Sequence, residues 1–170
     1  MALPLKDLPK GASPGFGKPG YLGRSVENPA LELAYTEYTA NVTISATVEA
    51  SATTIVTASS LDLDGQAILV EFYCPRLDVA DTADDVLLTL WDGSTDLGRL
   101  SWQIVTGADI AWPVHLARKI TPTVGSHTYS VRGWKVGAGS AVANAGSGTS
   151  GSLLPGFIRV SRAFTQSAAK

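Results

Sequence analysis

The sequence predicts an all-β protein, an antiparallel β-sandwich of about eight or nine strands. Apolar and polar residues alternate with period two, turn dipeptides separate the alternating runs, and β-branched and aromatic residues fill them. Short strands at such spacing are typical of sandwiches and barrels, and no run is convincingly helical. The 170 residues fit one domain preceded by an arm and followed by a short tail at 165–170.

The segment 1–33 is predicted to be an extended arm without regular structure. Proline recurs at every fifth residue from Pro4 to Pro19, with glycines in between. Proline removes amide donors and glycine raises the entropy cost of ordering, so neither helix nor strand is expected. A disordered tail is the alternative, but a solvated linker does not require apolar side chains. We predict that the arm lies on another surface, anchored by Leu3, Leu5, Leu8, Phe16, Tyr21 and Leu22.

The predicted sandwich domain covers residues 34–164. Its first strands lie in a run rich in β-branched and aromatic residues between Thr36 and Thr57. In the segments 67–73 and 86–91, large apolar residues occupy every second position, which indicates one buried face on each strand. The dipeptide Asp92-Gly93 is a favoured hairpin turn, and it predicts that the second of these strands pairs with the next.

The later strands follow the same pattern with one irregularity. Apolar residues also alternate in the run 100–105, and in the run 110–120 at Ile110, Trp112, Val114, Leu116 and Ile120. In 129–136 the alternation changes phase, and a β-bulge at Gly133 would return the later residues to the first face. A glycine-rich stretch, expected to be a flexible connection, leads to the last strand at 154–160.

The composition indicates a surface that is partly covered by partners. Charged residues are 16% of the chain, against about 25% in an average protein. Two predicted strands carry apolar side chains on faces where a water-facing sheet would be polar: Leu69 and Tyr73 on one, Leu87 and Trp91 on the other. We therefore expect burial against a second copy. The net charge of -2 argues against partners such as nucleic acid or anionic membranes.

The sequence offers neither a membrane span nor a secretory leader. No apolar run approaches the roughly 20 residues that cross a bilayer. Pro4 and Pro9 interrupt the first ten residues, which lack a signal-peptide core. We expect synthesis in a cytoplasm, which is compatible with later incorporation into a larger particle.

No motif predicts a catalytic, cofactor-binding or metal site. Cys74 ends an apolar strand and is expected to be a small buried side chain. His115 and His127 lack the ligand spacing of a zinc site and are expected to be structural or surface residues. A Ser–His–Asp triad stays open, since its members converge only in space, but the Gly-x-Ser-x-Gly elbow is missing. We expect a protein that is not an enzyme and has no cofactor.

Two acidic runs and three aromatic residues leave other kinds of site open. The run 62–65 resembles the start of a calcium loop without its later ligands and is expected to be a turn. Tyr129, Trp134 and Trp112 could form a sugar-binding platform, but their alternating positions favour core packing. A second acidic loop could hold a hard cation but is expected to be solvated: Asp78, Asp81, Asp84 and Asp85.

Four runs of the chain are distinctive in their sequence. They are LWDGSTDLG at 90–98, TPTVGSHTYSV at 121–131, GSG at 146–148 and PGFIRV at 155–160. Together they resemble virion proteins of tailed bacteriophages, notably those of actinobacterial hosts. The resemblance covers most of 34–164, whereas the arm is less typical. It implies a jelly-roll sandwich similar to the tumour-necrosis-factor fold, often assembled as a trimer, and it brings no catalytic residues.

The resemblance implies a structural accessory protein of a virion. The first expectation is a capsid decoration or cement protein that binds the major capsid protein, or other virion proteins, as a homotrimer whose arms clamp neighbours. The alternative is a minor tail or fibre-associated protein that touches host surface glycan. Either would be made in the cytoplasm of a host bacterium and reside in the virion. We expect subunit packing at Tyr73, Trp91, Trp134 and Phe157.

Overall fold

The structure is a computed structural model that describes residues 32–79, 85–104 and 110–163. These residues form twelve β-strands and one 3-10 helix, Glu49–Ser51. Every strand pairing among them is antiparallel, so the predicted all-β antiparallel class is confirmed. The predicted eight or nine strands were too few, because strands of three or four residues are too short to show an alternation.

The strands form three sheets. Sheet I has the order β1-β12-β5-β11-β2, with β8 also paired to β5; sheet II has the order β3-β10-β6-β7; sheet III is the pair β4-β9. The jelly-roll connectivity stays a prediction. The strands are β1 Glu32–Tyr38, β2 Val42–Ile44, β3 Thr53–Thr57, β4 Leu61–Asp64, β5 Ile68–Val79, β6 Asp85–Asp92, β7 Thr95–Ile104, β8 Ile110–Ile120, β9 Val124–His127, β10 Tyr129–Val136, β11 Ala141–Asn144 and β12 Gly156–Arg162.

The hydrophobic core lies between sheets I and II. On β5, Val70 and Phe72 are at most 2% exposed, and on β6, Leu88 and Leu90 are fully buried. All four belong to one cluster with residues of both sheets. The alternation predicted for these two strands is therefore confirmed. Each such side chain stabilises the fold by about 1.5–3 kcal/mol.

The predicted bulge at Gly133 is wrong. Strand β10 pairs with β6 in unbroken register along its whole length. Its pairing with β3 shifts register between Val131 and Arg132, but the extra residue there is Ile55 on β3, so no extra residue in β10 restores the phase. Gly133 points into the core, where a Cβ atom would lie 2.8 Å from Cδ1 of Ile44. The inward position therefore has no room for a side chain. The apolar residues that follow it, Trp134 and Val136, face outward.

Strand β7 contains two bulges of its own. Its pairing with β6 shifts register twice, which leaves Leu97 and Leu100 as extra residues. Both leucines pack against the core, whereas Trp102 and Ile104 lie on the outer face of sheet II. The strand predicted at 100–105 is confirmed, but its apolar residues do not share one face.

Candidate interaction surfaces

The outer face of sheet II carries a stack of tryptophan and arginine side chains. Trp102, Leu87 and Trp134 are directly paired across β7, β6 and β10. Leu87, between the two indoles, is 1% exposed. The Arg99 guanidinium carbon lies 5.5 Å from the ring centre of Trp102 and 5.4 Å from that of Trp134. Both distances are within the range of a cation–π interaction, so the Arg99 guanidinium contacts both indole rings.

Glu49 fixes the orientation of that guanidinium. The 3-10 helix brings its carboxylate to the Nε and Nη2 atoms of Arg99, at 3.0 Å in both cases. The bidentate hydrogen bond from Arg99 lowers the pKa of Glu49. Both side chains are partly exposed, so the pair adds little stability. Its consequence is geometric, because it holds Arg99 over the two rings.

A second cation covers Trp91 in the same sheet. Arg132 lies 4.3 Å from the Trp91 ring centre, and the indole N–H donates to Oγ1 of Thr89 at 2.7 Å. Trp91 is 7% exposed as a result. Leu87 and Trp91 are thus covered by side chains of their own chain. Their burial alone does not require the second copy that their outward positions suggested.

An exposed apolar patch remains at one end of this face. It consists of Trp102, Ile104 and Val136, which are 55%, 66% and 47% exposed, and we call it the Trp102 patch. Asp85 lies inside it, paired with Ile104 on one side and with Val136 on the other. One carboxylate oxygen of Asp85 accepts the indole N–H of Trp102 at 3.0 Å. The patch therefore combines a flat apolar surface with one central negative charge.

The outer face of sheet I carries a row of aromatic rings, here called the aromatic row. The ring centres of Tyr35 and Phe157 are 5.2 Å apart, and those of Phe157 and Tyr73 are 5.5 Å apart. His115 continues the row, with its ring centre 6.2 Å from that of Tyr73 in edge-on geometry. Phe157, Tyr73 and His115 are directly paired across β12, β5 and β8, and Tyr35 on β1 lies two residues along its strand from the position opposite Phe157.

A carboxylate and a guanidinium support the aromatic row from the side. Glu71 on β5 accepts a hydrogen bond from Nε of Arg159 on β12 at 2.8 Å, and Nη2 of the same guanidinium lies 2.7 Å from the same carboxylate oxygen. The Glu71 side chain is 11% exposed, and its other oxygen lies 3.7 Å from Nε2 of His115. The ion pair joins the strands that carry Phe157 and Tyr73, so it fixes the spacing of those two rings.

The residues predicted for subunit packing fall on two opposite faces. Tyr73 and Phe157 lie together in the aromatic row. Trp91 and Trp134 belong to the outer face of sheet II, and they lie in different rows of that face. The four residues therefore do not form one surface. The predicted arm anchors Leu3, Leu5, Leu8, Phe16, Tyr21 and Leu22 lie outside the described residues.

A cavity of about 460 Å³ lies between the start of β7, the end of β8 and sheet III. His127 and Asp92 line it, with the imidazole Nδ1 2.5 Å from a carboxylate oxygen. The other ring nitrogen lies 3.0 Å from the carbonyl oxygen of Thr123. A neutral imidazole has a single N–H, so only the protonated ring donates to both acceptors. The Asp92 hydrogen bond accordingly raises the pKa of His127.

This arrangement suits a structural clamp better than a catalytic site. Both ring nitrogens of His127 are engaged, which leaves neither to take a proton from a substrate. The second oxygen of Asp92 accepts the backbone N–H of Thr128 at 3.0 Å. Arg118, also in the cavity wall, donates to the carbonyl oxygen of Leu97. The cavity's polar groups thus tie sheet III to the β6–β7 hairpin and β8 to β7.

The clamp predicts a pH-dependent stability. Because the folded-state pKa of His127 is raised, its contribution is complete below the unfolded value of about 6.5 and is lost as the pH rises through the folded value. We expect the free energy of unfolding in urea to fall as the pH rises above about 6.5. His127→Gln should remove this slope, whereas His115→Gln, at a side chain that is 59% exposed, should retain it. An unchanged slope in His127→Gln would contradict the clamp.

Three of the remaining candidates from the sequence interact with other groups of the chain: Cys74, Asp64 and Asp78. Cys74 is fully buried, burial raises the pKa of its thiol, and its Sγ donates to the Asn144 carbonyl at 3.7 Å. Asp64 pairs with Arg162 at 2.6 Å beside a turn. Within the described ranges, no group of three His, Cys, Asp or Glu side chains is placed to hold a metal ion. Asp78 pairs with a neighbouring arginine, and Asp81 and Asp84 lie outside the described residues.

The three aromatic residues considered as a sugar platform do not come together on one surface. Tyr129 is 1% exposed and belongs to the core, and Trp112 packs against the core from β8. Trp134 lies on the outer face of sheet II. The prediction of core packing is therefore confirmed for Tyr129 and Trp112 and wrong for Trp134. The Trp102 patch was not predicted, because the outward position of Trp102 depends on the register of β6 and β7.

No protein-family model matches this chain, and no curated protein is significantly similar to it. In the part of the chain that the structure describes, no helix is long and apolar enough to cross a membrane.

Proposed function

We propose that the protein is a structural accessory protein of a bacteriophage particle, a jelly-roll decoration or cement protein that binds the capsid as a homotrimer. The observation that carries the proposal is the Trp102 patch. Contiguous exposed apolar side chains mark interaction sites on folded domains, and tryptophan is enriched where binding energy concentrates. The four sequence runs that resemble phage virion proteins supply the kind of particle.

The mechanism we propose is multivalent binding to the capsid. A decoration protein binds in many copies, so modest contacts at each copy add through effective concentration. Burial of the Trp102 patch and the arm against neighbouring subunits would exclude water at the seams of the shell. Nothing in this role requires a free acid, base or nucleophile, in keeping with a described cavity whose polar groups bind one another.

The second candidate is a minor tail or fibre-associated protein that touches host glycan. The aromatic row favours it, because aromatic rings flanked by Glu71 and Arg159 offer both apolar faces and hydrogen-bonding groups to a sugar. Quantitative mass spectrometry of purified particles separates the two candidates. Many copies per particle support the capsid role, and a handful support the tail.

Deletion of residues 1–31 tests the proposed attachment. Because the core and its strands lie within the described residues, we expect the shortened chain to fold and unfold cooperatively. We also expect it to be lost from purified particles, since the arm's apolar anchors are gone. Deletion of the predicted tail at 165–170 is the matched control and should leave occupancy unchanged. If the shortened chain were present on purified particles in the same amount as the full-length chain, the arm would not be needed for attachment.

A further inference from the structure

We propose that the Trp102 patch binds the N-terminal segment, residues 1–31, of a neighbouring copy of this chain. The inference rests on the proposed function and names the surface that receives the arm. Trp102, Ile104 and Val136 form an open apolar surface on the outer face of sheet II, with Asp85 at its centre.

The segment and the patch are complementary in chemistry. Residues 1–31 contain four basic and two acidic residues, a net charge of +2, whereas residues 32–170 contain nine basic and thirteen acidic residues, a net charge of -4. Lysines also flank a leucine, in the order Lys6, Leu8, Lys10. Asp85 is hydrogen-bonded to an indole N–H and forms no ion pair with the described residues. A leucine on the apolar surface would therefore bring a lysine to Asp85.

The same sequence determines how the segment binds. Proline at every fifth residue from Pro4 to Pro19 removes the amide donors that a strand added to the β7 edge would need. The segment therefore contacts the sheet through its side chains and lies across the face. An exposed apolar face beside the Asp85 carboxylate suits this mode, because it demands no continuous backbone ladder from the ligand.

The segment is long enough to reach a neighbouring copy, as the clamping role in the proposed function requires. The segment joins β1 at Glu32, which pairs with Ser161, and Ser161 pairs with Leu69 at the start of β5. The patch surrounds Asp85, only six residues beyond the end of β5 at Val79. A strand of β5's length spans roughly 40 Å, so the two points lie at opposite ends of the domain, on different sheets. An extended proline-rich segment of this length, at about 3 Å per residue, would span roughly 90 Å, which is enough to reach the patch of a neighbouring copy.

Disulfide trapping between mixed copies tests the inference. One set of full-length variants carries Ala2→Cys, Ala12→Cys or Ser25→Cys in the segment, and a second variant carries Ala138→Cys beside Val136. These positions leave the apolar residues intact, and native Cys74 is fully buried and stays unreactive. We expect at least one mixture to form a disulfide-linked heterodimer under mild oxidation. Adding Ile104→Ser to the Ala138→Cys copy should reduce its yield at least fivefold.

The control variant is Val124→Cys, on an exposed valine of sheet III that is 78% accessible. Heterodimer yields no higher with Ala138→Cys than with Val124→Cys would overturn the inference. A further variant carries a segment cysteine and Ala138→Cys in the same chain. The inference would also be overturned if disulfides formed only within single chains of this variant, at a yield independent of protein dilution. Particle occupancy is measured in parallel. Occupied particles without a specific crosslink would reject this binding site alone, whereas a specific crosslink in a protein absent from particles would reject the proposed function.

Discussion

Replacing Gly156 by alanine is expected to lower the free energy of unfolding by about 2–3 kcal/mol. Gly156 begins β12 opposite Tyr38 of β1, and a Cβ atom there would lie 2.2 Å from Cε1 and 2.3 Å from Cζ of that ring. The Tyr38 ring is stacked on Phe72 with an interplanar angle of 5°. Accepting the methyl group requires the ring to leave this position, with loss of its packing against the core. Urea unfolding monitored by tryptophan fluorescence measures the change.

A second variant separates this clash from a general effect on the strand. In a Tyr38→Leu background the ring is gone, so the Gly156→Ala substitution should cost less than half as much. The difference between the two backgrounds is the coupling energy of a double-mutant cycle. Equal costs in both backgrounds would show that Tyr38 is not what makes glycine necessary at this position.

The fold class was predictable because it depends on local patterns. On β5 and β6 the alternation of large apolar residues directly indicates the buried face, as Phe72 and Leu88 show. Which residues of β10 face the core after Gly133 was not predictable, because this depends on a side chain distant in sequence. Ile44 from sheet I occupies the space above Gly133. The bulges of β7 likewise depend on its pairing with β6, which single-strand periodicity does not report.

The candidate surfaces show the same division between local and non-local information. Tyr73 and Phe157 were expected at a packing surface, and the pairing of β5 with β12 does bring them together. Trp134 was expected at the same surface, but β10 belongs to the other sheet. The Trp102 patch was missed because Leu100, Trp102 and Ile104 alternate with polar residues, and this pattern is equally typical of apolar residues that face the core. Only the register of β6 and β7 shows that Trp102 faces outward.

Replacing Arg159 by methionine is expected to lower the free energy of unfolding by about 2 kcal/mol. The substitution leaves the Glu71 carboxylate, 11% exposed, without the guanidinium that contacts its Oε2 atom. Breaking a fully buried pair costs about 3–5 kcal/mol, and the smaller value here follows from the 40% exposure of Arg159, which lets water reach the vacated position. Arg76→Met is the matched control. Its pair with Asp78 has side chains that are 54% and 30% exposed, so its loss should cost less than about 0.5 kcal/mol.

The added variant Glu71→Gln distinguishes an unpaired charge from lost packing. If the cost arises from the stranded carboxylate, the double variant Glu71→Gln with Arg159→Met should be more stable than Arg159→Met alone, because a neutral amide is cheaper to bury. If Arg159→Met and Arg76→Met cost the same, burial of Glu71 is not the cause. The ion pair joins β5 to β12, so its loss should also loosen the contact between Phe157 and Tyr73. The aromatic row would then lose the fixed geometry on which any glycan contact at this face depends.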